Sequence, residues 1–332
     1  MEPAPPRHRG VNAFTSAVGI DVPLICGAMY PCSNPDLVAA VSRAGGIGVV
    51  QPISLTYVHG HQFRDGLRLI MRLAEGRPVG MNALIEASSN TYHRRMVQWV
   101  EIALEEGIRF FITSLGKPDW VVHRVRAAGG VVYHDVTERK WALKGLDAGV
   151  DGLIAVNHRA GGHAGPLSAE QLYDQVHDLG VPVICAGGIG TPREFARALS
   201  LGYQGVQMGT RFIATPECRA SDAYKRAIVR ATESDIVHSE RITGVPVAVI
   251  RTPFIERMGL TAGPLARWML RGRRTKHLMR TLYALRSLWQ LKRASLDESG
   301  TRDYWQAGKS VGGIESIEPA ESIVRRFAAA VD

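Results

Sequence analysis

From residue 22 onward the chain alternates between two hydrophobic patterns. Apolar runs rich in Val, Ile and Leu recur near residues 22–29, 47–52, 78–85, 109–115, 131–136, 152–158, 181–188 and 205–213, and helical spacing of apolar residues fills the intervals. Runs of this kind fit strands buried on both faces, and a helix after each must return the chain to the same edge. The pattern predicts a parallel sheet.

The helix starts are legible. Ser33-Asn34-Pro35 precedes DLVAAVSRA, Thr137 precedes ERKWALKGLDA, Ser168 precedes AEQLYDQVHDL, and Thr191-Pro192 precedes REFARALSL. A Ser, Thr or Asn oxygen satisfies a first-turn amide, and Pro at the first helical position has no amide to leave unpaired. Glycines in SRAGG, EEG and LSLG mark helix ends. Eight βα units in about 200 residues predict an α/β fold of the (β/α)8 TIM-barrel type, because a doubly wound sheet more often has five or six strands.

The pattern changes after the eighth strand. Leu278, Leu282, Leu285 and Trp289 fall on one helical face, with Arg and Lys on the other. The expected organisation is a barrel over 1–250, a basic helical insertion over the barrel mouth at 251–300, and C-terminal helices closing on the barrel at 301–332.

Composition changes this picture little. With 332 residues, 45% of them hydrophobic, the chain is long enough for one large domain with a full core. The opening MEPAPPRHRG lacks an apolar signal core, and no stretch supplies the roughly 18 apolar residues of a spanning helix, so a cytoplasmic protein is expected. Cys26, Cys32, Cys185 and Cys218 form no CxxC pair, which argues against a zinc knuckle or a disulfide framework.

The formal charge of +9 is a local feature. Residues 251–293 hold eleven Arg and Lys against one acid, Glu256. That distribution does not predict nucleic-acid binding. A solvated lid face, a site for an acyl thioester or acidic carrier protein, and a peripheral membrane contact are the readings it leaves open. The oligomeric state is not fixed by sequence.

In a barrel the chemistry sits at the C-terminal ends of the strands. Strand 7 ends in AGGIGTP (186–192) and strand 8 in QMGTRF (207–212). Glycines let the backbone approach an anion, and the helix start at Thr191 adds a favourable dipole, so these paired loops predict a phosphate site. Strand 6 ends in NHRAGGHAG (157–165), which puts His163 among small neighbours beside that site, where an imidazole suits general-base work. His158 is read as structural.

His134 and Asp135, at the end of strand 5, are sound metal-ligand types, but neither HxH nor HExxH accompanies them, so no metal is expected. His134 is equally a hydrogen-bond partner for a cofactor. None of the strand runs contains Lys, which argues against Schiff-base chemistry; Lys117 and Lys140 fall beyond strands. Strand 1 ends in Gly27, Ala28 and Met29, and strand 3 carries Asn82. Small residues and a polarizable thioether suit an aromatic ring lying across the mouth.

Taken in order, CGAM, AGGHAG, AGGI and MGTRF resemble the nitronate monooxygenase family, over about residues 20–215 and more loosely in TGVPVAVIRTPF and DYWQAGKSVGGI. The resemblance implies a TIM barrel holding FMN without metal. It implies that Gly27, Ala28 and Met29 touch the isoalloxazine, with Asn82 and His134 nearby. Gly161, Gly162, Ala186, Gly187, Gly188, Gly209 and Thr210 would surround the ribityl phosphate. His163 would be the active-site histidine, and an alkyl nitronate the small-molecule substrate, oxidised with oxygen to a carbonyl compound and nitrite.

One departure is Arg159, where family members often carry an acid before AGGH. The same pattern is similar to the FMN-dependent enoyl-thioester reductases, which draw electrons from NAD(P)H, and that reductase reading, or a quinone reductase, is the alternative. A non-enzymatic phosphate-ligand sensor on a barrel scaffold is the minor one.

Overall fold

The computed structural model describes residues 12–86, 90–241, 245–261, 292–296 and 304–330. Eight parallel strands close into a barrel in sequence order: β1 (Leu24–Cys26), β2 (Ile47–Val50), β3 (Val79–Ile85), β4 (Phe110–Leu115), β5 (Val131–Val136), β6 (Gly152–Val156), β7 (Val183–Ala186) and β8 (Gly205–Met208), with β8 paired to β1. The predicted barrel is the observed one. Several strands stop short of the apolar runs that announced them. Gly187 and Gly188 after β7 have φ of 114° and 79°, which takes the chain off the ladder, and β8 gives way at Gly209 to the short helix Thr210–Ile213.

The helix caps follow the sequence in part. Ser168 and Thr191 each form a capping box, with Gln171 and Glu194. Asn34 makes no cap bond; its amide instead donates to the carbonyl of Glu217 and its oxygen accepts from the amide of Arg219, tying the β1 loop to the chain after β8. The helix after β5 begins at Arg139, past the expected Thr137 cap.

Residue alternation along the strands separates two cores. Ile25, Ile47, Val49, Phe110, Ile112, Tyr133, Ile154, Ile184 and Ala186 fill the lumen, and their sequence neighbours face the outer helices. The N-terminal helix Ala13–Val18 plugs the lower end, where Phe14 lies 6.0 Å from the Phe110 ring and 5.5 Å from the Tyr133 ring. Gly152 makes room for this cluster: a Cβ there would stand 2.4 Å from the Tyr133 ring.

Two features lay outside the sequence reading. β9 (Ile236–Ser239) and β10 (Val247–Ile250) form a separate antiparallel hairpin. Residues 304–313 run past the strand-6 loop and the hairpin, with Val249 bridged to Gln306 and the amide of Lys309 bonded to the carbonyl of Arg159. The plural closing helices expected at 301–332 are, among the described residues, one α-helix, Ala320–Ala328, preceded by a 3-10 turn at Lys309–Gly313. It packs in the outer layer, with Phe327 against Phe195 at 5.6 Å.

Leu278, Leu282, Leu285 and Trp289, which carried the lid reading, lie outside the described residues. The basic stretch touches the barrel at its C-terminal end, where Lys292 donates to the carbonyl of Tyr57 at 2.9 Å. Among the described residues no helix is long and apolar enough to cross a membrane.

Candidate active site

The inward register defines a ring of side chains at the C-terminal mouth. Gly80 faces the lumen, since a Cβ there would meet the Phe110 ring at 2.8 Å, so Asn82 two residues on faces it as well. By the same period Tyr133 places Asp135 inward. Gly205, whose Cβ would stand 3.1 Å from the Phe14 ring, likewise places Gln207 inward. Gly27, Ser114, Val156 and Ala186 complete the inward set from β1, β4, β6 and β7.

His134 is a correction. It lies on the outer face of β5, buried against the helix Arg139–Asp147, where its ring stands 3.2 Å from the position a Cβ on Gly145 would take. Its Nδ1 is 2.8 Å from the Thr113 hydroxyl. Burial pulls its pKa down from 6.5 to about 4, so it is a neutral packing residue turned away from the mouth. Since successive strand residues face opposite sides, His134 and Asp135 cannot share an ion.

Asp135 and Gln207 are what the motif search passed over. Asp135 Oδ1 and Gln207 Oε1 are buried and have no hydrogen-bond partner among the described residues. Burial raises the Asp135 carboxyl from 3.8 to about 7. Counting two residues on from Tyr133, once its inward face is known, reaches Asp135.

The mouth floor is kept low by glycine. A Cβ on Gly27 would come within 3.0 Å of the Gln207 side chain, and one on Gly209 within 3.2 Å of Met29 Sδ. Met29 is fixed by its amide, which donates to the Ser33 hydroxyl at 2.8 Å.

The loops after β6 and β7 are braced together. Asn157 is fully buried; its amide donates to the Gly187 carbonyl at 2.9 Å and its oxygen accepts from the Arg159 amide at 2.8 Å. A Cβ on Gly188 would strike Arg159 Nε at 2.4 Å, and Gly161 and Gly308 cross so closely that a Cβ on either would meet the other's amide nitrogen within 3.0 Å. Gly308 also donates to the Thr210 hydroxyl at 3.0 Å. Protein packing by itself demands several of these glycines.

The helix start at Thr191 also differs from expectation. The amides of Gly190 and Thr191 donate to the Glu194 carboxylate at 2.8 and 3.0 Å. The dipole end read as part of the anion site is therefore already met by the helix's own capping acid.

His163 is exposed on the strand-6 loop. Its Nδ1 lies 3.1 Å from the Pro246 carbonyl. A carbonyl only accepts, so Nδ1 carries the hydrogen and Nε2 is left as the acceptor. Ala248 donates to the Gly162 carbonyl at 2.9 Å, so the 246–248 segment holds both the histidine ring and the residue before it. His158 closes the same loop through its amide, 2.8 Å from the Leu167 carbonyl. Arg159, the departure noted above, pairs with Glu233 at 2.6 Å and 2.9 Å.

A closed parallel barrel whose mouth carries orphaned polar groups, a glycine floor and a braced histidine loop has the build of a small-molecule barrel enzyme. The family model described as "Nitronate monooxygenase" matches residues 12–325. The chain belongs to the nitronate monooxygenase family, and it is an oxidoreductase.

Its relatives divide between two chemistries. It is 31% identical, over 74% of its length and 67% of the relative's, to a Mycobacterium tuberculosis protein named (3aS,4S,5R,7aS)-5-hydroxy-7a-methyl-1-oxo-octahydro-1H-indene-4-carboxyl-CoA dehydrogenase. It is 27% identical, over 74% of its length and 79% of the relative's, to a probable nitronate monooxygenase of Staphylococcus saprophyticus. Among solved structures, FabK from Thermotoga maritima superposes with a TM-score of 0.75 at 27% identity, covering 96% of this chain and 94% of that one.

Proposed function

We propose that the chain binds FMN across the barrel mouth and oxidises alkyl nitronates with oxygen to a carbonyl compound and nitrite. The observation that carries the cofactor reading is the pair of buried, unpartnered oxygens of Asp135 and Gln207, above a floor that glycines keep flat. A planar heterocycle with donor and acceptor edges satisfies such groups, which are costly to leave unpaired. Gly27, Ala28, Met29 and Asn82 border the ring. Gly161, Gly162, Ala186, Gly187, Gly188, Gly209 and Thr210 take the phosphate end. When bound, FMN supplies the electron transfer.

The protein's own part is proton handling and orientation. His163, with Nδ1 tethered to Pro246, offers Nε2 to accept the α-proton of a nitroalkane or, once protonated, to orient the anion. The family membership supports nitronate as substrate.

A second reading is favoured by one observation, the 31% identity to a carboxyl-CoA dehydrogenase. In that reading the substrate is an acyl thioester, electrons pass to or from a nicotinamide, and the basic 251–293 stretch receives the phosphates of coenzyme A or a carrier protein.

The test is anaerobic mixing of FMN-loaded protein with propionate 3-nitronate, NADH or NADPH, followed by oxygen uptake. Flavin bleaching or a radical spectrum with nitronate alone, and oxygen uptake on aeration, is the expected result. Reduction by nicotinamide and not by nitronate selects the thioester reading, and failure to bind FMN overturns the cofactor.

A further inference from the structure

Asp135 is the one carboxyl within the eight barrel strands, and it lies on their inward register. Below it on the same face stands Tyr133, and beside it on the neighbouring strands stand Ser114 and Ile154, none of which brings a charge. The adjacent His134 and the Lys144 that acts on it belong to the outer layer. Nothing on these strands therefore compensates an ionised Asp135, and its Oδ1 has no hydrogen-bond partner among the described residues.

A buried carboxyl in this setting is more stable with its proton, because an ion without a partner loses its hydration and gains nothing in return. A protonated carboxyl is also a donor, whereas Gln207 Oε1 is an acceptor. The two orphaned groups thus offer the mouth one donor and one acceptor.

We propose that Asp135 is a proton-holding binding residue: as the neutral acid it donates a hydrogen bond to an acceptor atom of the flavin ring, and as the carboxylate it weakens binding. The inference rests on the FMN reading. Its immediate consequence is a pH-dependent hold on the cofactor, which the other inward strand residues among those described carry no carboxyl to provide. Burial raises the carboxyl to about 7, inside the pH 6 to 8.5 span of the titration below.

FMN titration of the apoprotein from pH 6 to 8.5 tests this, with Asp135→Asn as the neutral amide that keeps a donor. The wild-type dissociation constant is expected to rise by about tenfold per pH unit once the acid ionises, and the Asn variant to stay level within about twofold. An equal pH response in both proteins overturns the proposal.

A readout without cofactor separates the two claims. The wild-type-minus-Asn infrared difference spectrum of the apoprotein is expected to show a protonated-carboxyl band at pH 6 that converts to carboxylate by pH 8.5. A carboxylate signal throughout overturns the proposal even if FMN binds. Wild-type protein that binds no FMN at any pH refutes the flavin reading, and with it the binding role. Asp135→Ser serves the same comparison if the Asn variant does not fold.

Discussion

Asn157 is the residue on which the geometry of the mouth loops depends most directly. Its side chain is fully buried and makes two well-formed bonds, to the Gly187 carbonyl and from the Arg159 amide, at 2.9 and 2.8 Å. Asn157→Ala strands both backbone groups where water has little access. Each such group costs about 1–3 kcal/mol, so a loss of about 2–4 kcal/mol is expected once partial rehydration of one of them is allowed.

Because these bonds join the β6 loop to the β7 loop, the loss should also reach the ligand. Apparent FMN affinity is expected to fall at least about tenfold, which needs only about 1.4 kcal/mol of the strain to be relieved in the free state. Urea unfolding gives the first quantity and fluorescence titration the second. Asn157→Asp keeps the acceptor for Arg159 but offers Gly187 a second acceptor in place of a donor, so it should fare no better. A stability loss below about 0.5 kcal/mol at unchanged m-value, with affinity intact, would refute the brace.

Three further outcomes follow from the same structure. His163→Ala should retain FMN, since its tether is to Pro246, and lose most turnover; full steady-state activity in the loaded variant would remove it from the chemistry. Gly152→Ala forces a methyl into the Tyr133 ring, and overpacking of this kind costs about 1–3 kcal/mol, visible as a lowered unfolding midpoint in the apoprotein. His134 sets a stability-versus-pH trend: the unfolded chain takes up its proton near 6.5 and the folded one only near 4, so stability falls as pH drops through that window. His134→Gln should flatten that decline in equilibrium unfolding between pH 6.5 and 4, and an unchanged slope would show that the buried imidazole does not cause it.

The barrel was legible in the sequence because both of its periods are local. An apolar run such as PVICA and a capped stretch such as Thr191-Pro192 followed by REFARALSL each declare an element without reference to the rest of the chain. Eight repetitions of that pair leave few topologies. Gly27 and Ala186 lie close to where their strands stop, a position an apolar run marks to within a few residues, whereas Asn82 stands out as a polar residue inside the run of β3.

Tertiary structure alone decided which way each strand-end residue faces and what the glycines are for. His134 and Asp135 are neighbours in sequence, and the motif reading favoured the histidine. The absolute phase of β5 is set by Tyr133 packing on Phe14 and Phe110, contacts more than 20 residues apart in the chain, and that phase sends His134 out and Asp135 in. Likewise, the amides of Gly190 and Thr191, which the motif offers to an anion, are held by Glu194, and Gly161, which the motif offers to a ligand, is also required by its crossing with Gly308. Local pattern fixes what an element is; the partner across the fold, arriving from far along the chain, fixes which of its faces is left for chemistry.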